Sequence, residues 1–431
     1  MFMCNLKNSE FDNEGGNKVS KVLLKSKMIY TSDGLKSGAI LIEDSKIKDI
    51  IFNTEEIRSF EGKVIDVENN SIIPGLIDIH IHGAGGWTVT GGTVEDIKGL
   101  TTYLTTRGVT SFQPTIGGSP LEAIKNTLKE LSIAIKNKSQ GTRILGIHLE
   151  GPFLNPEKKG AFSLEFLEKP SVELVKEFIE LSNDNIIHVS LAPELEGAKE
   201  VIEYLVDKGI LVSGAHTNAT IEETKKAIRW GVSLSNHTCN AQRSIHHREP
   251  GALGGYLLDD GVDCELICDS FHVHPDMIRL VTKIKTIDKI CVISDAITAS
   301  GVKPGEYAFL GRKALIDKDG WSRLPDGTIA GSTRDLLYGL ENLVENIGYS
   351  MEDALKMTSL NPARLSGYQE CKGSIEVGKD ADLVILDENY KIKYTFVEGE
   401  MVYSSEQEGP FTNPKIQPIR SIEEVGDEYE N

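Results

Sequence analysis

Two histidines spaced two residues apart, His80 and His82, end an apolar stretch that begins at Pro74. In a β-strand, residues two apart point to the same face, so both imidazoles would aim at one point. Holding a metal ion is the usual reason for such a pair. The spacing alone leaves a second interpretation open, a strand with two incidental histidines. A metal site is favoured because similar strand ends recur downstream.

Polar side chains end four later strand-like runs: Glu150, His216, His237 and Asp295. A carboxylate such as Glu150 can bind a divalent metal singly or as a bridge; the alternative is a helix cap or a salt bridge. Together with two histidines it would form a two-histidine, one-carboxylate set that leaves a position for water, as catalytic metals require.

The order of the elements decides whether these residues can meet. Between Ser71 and Pro304, eight apolar runs alternate with amphipathic segments, including 97–106, 121–134, 198–206 and 222–228. Eight such units predict a (β/α)8 TIM barrel. The carboxyl ends of all strands in a TIM barrel form one rim, where the active site lies. The polar strand ends are therefore expected to converge on one pocket.

The flanking segments have a different pattern. Short β-like runs before the barrel and again near 373–387 predict a small β-sandwich domain built from both chain ends, 18–72 plus 372–403, around a barrel at 73–371. Residues 1–17 are expected to be disordered, 404–431 to form an acidic tail, and 301–328 to form a lid or hairpin.

Composition limits the class of protein. The chain has 431 residues, 39% hydrophobic residues and a formal net charge of −19, which is typical of an acidic globular protein. Nucleic acid is an unsuitable partner, because binding to its phosphate backbone needs a basic surface. No apolar run approaches a membrane span and no signal peptide is evident, so a cytoplasmic location is expected.

Several motifs carry a resemblance to a known family. The first strand end, 74–83, and Gly-Lys-Asp-Ala-Asp-Leu-Val at 378–384 resemble the amidohydrolase superfamily. Within it, the segments at 148–153, 191–194, 247–251 and 294–296 resemble the N-acetylglucosamine-6-phosphate deacetylase family. This resemblance extends from about residue 22 to 403, nearly the whole chain.

The resemblance implies roles for the polar strand ends. Glu150, His216 and His237 would be the main ligands of a divalent metal, zinc or iron, and His80 and His82 could hold a second ion. Each subunit would then carry one or two ions. Asp295 would be the general base and acid that takes a proton from water and gives one to the leaving amine. An aspartate that only orients a ligand histidine is the alternative.

The resemblance also implies an amino-sugar phosphate as the substrate and a homodimer as the assembly. Arg248 would bind the phosphate, often in a pocket completed by the other subunit, although a surface salt bridge with Glu249 is the alternative. The implied substrate-binding residues are Ala161, Asn240, Ala241, Arg248, His272, Ile329, Ala330 and Gly331.

Two departures from the family concern the sugar. Phe162 stands where the family usually has a substrate-contacting histidine, and Gln242 follows the Asn-Ala pair in place of methionine. The expected reaction is removal of the acetyl group of N-acetyl-D-glucosamine 6-phosphate, with another N-acetylamino-sugar phosphate, such as the galactosamine epimer, as the alternative.

Two other classes compete with this interpretation. A cyclic amidase or nucleobase deaminase is disfavoured by the motif at 247–251 and by the lack of a metal-bridging lysine after the fourth strand. A catalytically dead binding protein would be expected to have lost ligands that are all present here.

Overall fold

A computed structural model describes residues 21–407, 409, 411–421 and 424 of the chain. Its centre is a ring of parallel strands, in which the third strand is interrupted at Leu145 and Gly146. The ring closes where the last strand meets the first, because the Asp295 backbone N–H donates to the His80 carbonyl at 2.9 Å. The predicted TIM barrel is therefore confirmed, and its strands are Leu76–Ile81, Val109–Ile116, Arg143–Ile144 with Ile147–Glu150, Ile186–Leu191, Leu211–Gly214, Leu234–Ser235, Asp263–Ile267 and Ile290–Ile293.

Helices follow the strands and cover the outside of the barrel. Their starts are encoded locally: Thr93 with Asp96, and Thr220 with Glu223, form capping boxes at two helix N-termini. Gly231 ends the second of these helices with φ of 118°, a conformation that favours glycine. The α-helices are Thr54–Arg58, Val94–Thr105, Leu121–Asn137, Val172–Leu181, Ala198–Asp207, Ile221–Trp230, Gly251–Leu258, Pro275–Lys285, Leu336–Asn342, Met351–Leu355 and Asn361–Leu365.

A second sheet combines both ends of the described chain. Its central strand, Lys21–Thr31, pairs with neighbours on both sides, and Leu383–Leu386 joins it by pairing antiparallel with Ser71–Pro74. The strands form one continuous eight-stranded sheet around a shared apolar core that includes Leu24 and Phe396. Its other members are Gly34–Glu43, Lys46–Ile51, Lys63–Asp66, Ile392–Val397 and Glu400–Ser404.

A hairpin covers one side of the barrel rim, as the sequence of 301–328 predicts. It consists of Gly305–Phe309 and Arg312–Ile316, and we refer to these two strands and their turn as the lid hairpin. Ser322–Arg323 pairs with Arg312–Ile316 of this hairpin. Arg420–Ser421, from the predicted tail, pairs with Gly305–Phe309. A separate short hairpin, Gly83–Ala84 with Trp87–Thr88, follows the first barrel strand.

Two expectations concern residues at the chain ends. The predicted disorder of 1–17 lies outside the described residues, as does most of 422–431. Within the described part of the chain, no helix combines the length and the apolar character that crossing a membrane requires.

Candidate active site

Glu150, His216 and His237 meet at the carboxyl ends of the third, fifth and sixth barrel strands. The Nε2 atoms of the two histidines lie 3.1 Å apart, and Glu150 Oε1 lies 3.1 Å from His237 Nε2 and 3.4 Å from His216 Nε2. All three side chains are buried. Three ligand atoms at these separations leave room for one ion at about 2.0–2.2 Å from each, the usual bond lengths of zinc to nitrogen and oxygen.

The other oxygen of Glu150 faces the histidines of the first strand. Glu150 Oε2 lies 3.2 Å from His82 Nε2 and 3.5 Å from His80 Nε2. Asp295 Oδ1 lies 3.3 Å from His82 Nε2 and 3.6 Å from His80 Nε2. Glu150 therefore separates two adjacent ligand sets and offers one oxygen to each, which is the arrangement of a bridging carboxylate.

The backbone turns these side chains inward at an energetic cost. His216, His237 and Asp295 have φ of 40°, 23° and 50°, all in the left-handed region that residues other than glycine rarely adopt. Such conformations cluster at functional sites, where the surrounding structure holds them in place. Asp295 is held on both sides, because its N–H donates to His80 and its carbonyl accepts from the Ser332 N–H at 2.8 Å.

The buried carboxylates and histidines of the site shift each other's pKa values toward their charged forms. Burial opposes ionisation of Glu150, but His80, His216 and His237 outweigh it and hold the pKa of Glu150 well below its usual value. Burial also opposes the charge on His82, but hydrogen bonds with Asp295 and Glu150 raise the pKa of that imidazole to about 9. The buried carboxylates are therefore ionised and need cations beside them.

These observations test whether a divalent metal fits. The buried Nε2 atom of His80 makes no hydrogen bond to the described residues, although it faces two carboxylate oxygens. Imidazole nitrogens with carboxylate oxygens form a donor set suited to zinc, iron, cobalt or manganese. The residues fit one ion at Glu150, His216 and His237, and a second at His80, His82 and the shared Glu150.

Contacts behind the ligands were not predicted from the sequence. The Lys158 carbonyl lies 2.7 Å from His216 Nδ1, and Asn236 Nδ2 donates to Glu150 Oε1 at 3.0 Å. Glu265, in the middle of the seventh strand, lies 3.2 Å from His80 Nδ1. A charged residue between the apolar residues Cys264 and Leu266 of this strand was the only signal in the sequence that could have indicated it.

A cavity of about 330 Å³ opens above the ligands. Phe162 is nearly buried in its wall, with its ring edge-on to His216 at a centroid distance of 5.0 Å. Phe309 and Leu310 of the lid hairpin close one side of the cavity; the sequence predicts a lid or hairpin here but not the part played by these two side chains. The predicted substrate residues that line it are Ala161, Asn240, Ala241, His272, Ile329 and Gly331.

Two predicted substrate residues lie elsewhere. Ala330 is fully buried beside Ile329 and does not line the cavity. Arg248 is exposed on the loop after the sixth strand, where its Nη1 contacts His247 Nε2 at 2.7 Å. The salt bridge from Arg248 to Glu249, the alternative considered for it, is not among the ion pairs of the described residues.

His272 reaches the cavity because two contacts fix it. Asp269 Oδ2 lies 2.7 Å from His272 Nδ1, and Asp269 Oδ1 accepts from the His272 backbone N–H at 2.8 Å. The Ser332 hydroxyl donates to the same aspartate at 3.0 Å. The imidazole is therefore oriented with Nε2 available to a ligand in the cavity.

The fold and this ligand arrangement define a class of protein. A model of the amidohydrolase family matches residues 71–402, and the chain belongs to that family. Two of the relatives to which it is similar are named as deacetylases of amino-sugar phosphates. N-acetylglucosamine-6-phosphate deacetylase of Bacillus subtilis is 34% identical over 90% of this chain and 98% of the relative. N-acetylgalactosamine-6-phosphate deacetylase of Escherichia coli O157:H7 is 30% identical over 88% of this chain and 98% of the relative.

Solved structures agree with these relatives. The crystal structure of N-acetylglucosamine-6-phosphate deacetylase from Pasteurella multocida superimposes with a TM-score of 0.83 at 31% identity, over 88% of this chain and 99% of that one. The enzyme of the same name from Thermotoga maritima gives a TM-score of 0.79 at 33% identity, over 89% of this chain and 100% of that one.

Proposed function

We propose that this protein hydrolyses the acetamide of N-acetyl-D-glucosamine 6-phosphate and releases glucosamine 6-phosphate and acetate. The observation that carries the proposal is the convergence of Glu150, His216 and His237 with Asp295 at one cavity. The names of the similar proteins from Bacillus subtilis and Pasteurella multocida support the same substrate.

The residues have distinct roles in this reaction. A divalent ion held by Glu150, His216 and His237 would polarise the acetamide carbonyl and acidify water. Asp295, ionised and at the cavity, accepts the proton of the attacking water. It then returns that proton to the amine nitrogen as the carbon–nitrogen bond breaks. His272, whose Nδ1 hydrogen points at Asp269, is placed to accept a hydrogen bond from a sugar hydroxyl at Nε2.

The phosphate group needs positive charge in a protein of net charge −19. Lys158 lines the cavity and is one local source. Arg248 is a second source only if another copy of the chain brings its loop to this cavity. We therefore include a homodimer in the proposal, in which the Arg248 loop of one subunit completes the site of the other.

The metals in the proposal are two zinc or iron ions per subunit. The support for two is that Glu150 presents a separate oxygen to each histidine pair. A cytoplasmic location accompanies the proposal, because a sugar phosphate is charged and does not cross a bilayer unaided.

N-acetylgalactosamine 6-phosphate is a second candidate substrate. Phe162 offers no hydrogen bond at a position that faces the cavity, so one means of selecting between sugar epimers is missing. The Escherichia coli relative that carries the galactosamine name supports this candidate.

Release of acetate from a panel of N-acetylamino-sugar 6-phosphates tests the proposal. The full chain, loaded with zinc or with ferrous iron, should release acetate from the glucosamine derivative with the highest kcat/KM. Glu150→Gln should abolish release because both ligand sets lose a charged oxygen, while the surface variant Glu177→Gln should match the wild type. A metal-loaded protein that releases no acetate from any member of the panel would refute the proposed activity.

A further inference from the structure

Glu265 lies fully buried inside the barrel, below the two ligand sets, and has no role in the steps described above. Its Oε2 atom makes two contacts, one to each histidine pair. It lies 3.2 Å from Nδ1 of His80 and accepts a hydrogen bond from the backbone N–H of His237 at 3.0 Å. One carboxylate oxygen therefore touches both halves of the candidate metal centre.

Burial of this carboxylate needs a cause. An ionised carboxylate without a cationic partner is costly in the interior of a protein. Among the described residues, no lysine or arginine forms an ion pair with Glu265, and His80 is the partner within ion-pair distance. The carboxyl group of Glu265 is thus directed at the ring of His80.

The contact decides which nitrogen of His80 is available. A carboxylate only accepts hydrogen bonds, so His80 Nδ1 must carry the hydrogen that points at Glu265. The lone pair is then on Nε2, the atom that faces Glu150 and Asp295. A neutral imidazole ligand whose other nitrogen is bonded to a carboxylate is held in one orientation and is a stronger electron donor.

We propose that Glu265 is a positioning residue for the second metal ion, acting by holding His80 with Nε2 directed at the His80, His82 and Glu150 set. This inference deepens the proposed two-ion centre and rests on it. The first ion, at Glu150, His216 and His237, depends less on Glu265, because there Glu265 touches only the backbone of His237. Loss of the carboxylate should therefore weaken one ion and spare the other.

Stepwise zinc binding to the metal-free full chain tests this inference. Equilibrium dialysis against buffered zinc gives a Kd for each ion in the wild type, in Glu265→Gln and in Glu265→Leu. Glutamine keeps an acceptor oxygen without the charge, and leucine removes the acceptor. Outer partners of a ligand histidine are typically worth 10–100-fold in metal affinity. We expect the Kd of the second ion to rise about tenfold in Glu265→Gln and toward a hundredfold in Glu265→Leu.

Asp263 provides the matched control. It lies two residues earlier on the same strand and on the same face, is also buried, and pairs with Arg364 and Lys289 away from the ligands. Asp263→Asn should lower the melting temperature of the metal-free protein while it keeps both zinc affinities. An effect of Glu265 that came only through fold stability would be reproduced by this control.

Three results would overturn the inference: unchanged affinity for the second ion in both Glu265 variants, parallel weakening of both ions, or a wild type that binds one ion. If Glu265→Leu does not fold, Glu265→Gln still distinguishes these results. Failure of the proposed deacetylase activity has a different signature. A wild type that binds two ions but releases no acetate would refute the substrate and leave the Glu265 comparison valid.

Discussion

Replacing Asp295 with asparagine removes a proton acceptor with little change of shape. Asparagine tolerates the left-handed φ of 50° better than most residues, so the substitution adds little backbone strain. The backbone hydrogen bonds to His80 and Ser332 do not involve the side chain and are kept. The variant is therefore expected to fold normally.

The expected loss follows from the role of the group. A positioned general base contributes about 10²–10⁴ in rate, which corresponds to roughly 3–5 kcal/mol in activation free energy. The amide cannot accept the proton of water, so kcat for acetate release should fall by at least about a hundredfold. KM should change much less, because the residue acts on the reacting atoms.

The assay combines acetate release at saturating substrate with metal analysis of the same preparation. The first ion should be retained, because its ligands are Glu150, His216 and His237. The second ion can weaken, since Asp295 Oδ1 lies 3.3 Å from His82 Nε2, and titration with excess zinc controls for this. A kcat within about threefold of the wild type under excess zinc would refute the assignment of Asp295 as the base.

The remaining predictions concern the phosphate, the sugar and the fold. Arg248→Ala should raise KM for phosphorylated substrate by about ten- to a hundredfold, the value of a charge-assisted hydrogen bond, with no loss on unphosphorylated N-acetylglucosamine; an equal loss on both would mean a structural role. Phe162→His should increase the ratio of kcat/KM for the glucosamine derivative over the galactosamine derivative, and an unchanged ratio would show that this position does not select the sugar. Lys372→Met should remove about 3–5 kcal/mol from the free energy of unfolding, because it strands the buried carboxylate of Asp382 at 2.7 Å. Both free energies are measured by urea titration, in which Lys25→Met, a change of an exposed lysine, should cost under about 1 kcal/mol. Similar urea midpoints for the two variants would show that burial does not decide how much an ion pair contributes to stability.

The convergence of the candidate ligands could be predicted because its signals are local. Each ligand ends an apolar run, and the eightfold alternation of strands and helices places all such ends on one rim. Histidine spacing at His80 and His82 is a property of a single strand. The predicted and observed positions of these residues agree because a residue at the carboxyl end of any barrel strand lies on the same rim.

Other parts of the site depend on distant contacts that leave no local pattern. Glu265 lies in the middle of a strand, and its role arises only because His80 lies across the barrel interior. Phe309 reaches the cavity through the pairing of the lid hairpin. Arg248 illustrates the opposite case: its motif was evident in the sequence, but in a single subunit its loop is exposed. The phosphate-binding role proposed for it requires a second copy of the chain.

The pairing of the lid hairpin with Arg420–Ser421 imposes an order of events during synthesis. Glu306 and Arg420 are 114 positions apart and lie 2.7 Å from each other in the folded protein. The ribosome therefore releases the barrel and all candidate ligands well before Arg420–Ser421, the strand that pairs with Gly305–Phe309 of the lid hairpin. A nascent chain can therefore bring its candidate ligands together while the strand Gly305–Phe309, which borders the cavity through Phe309, still lacks its neighbour Arg420–Ser421.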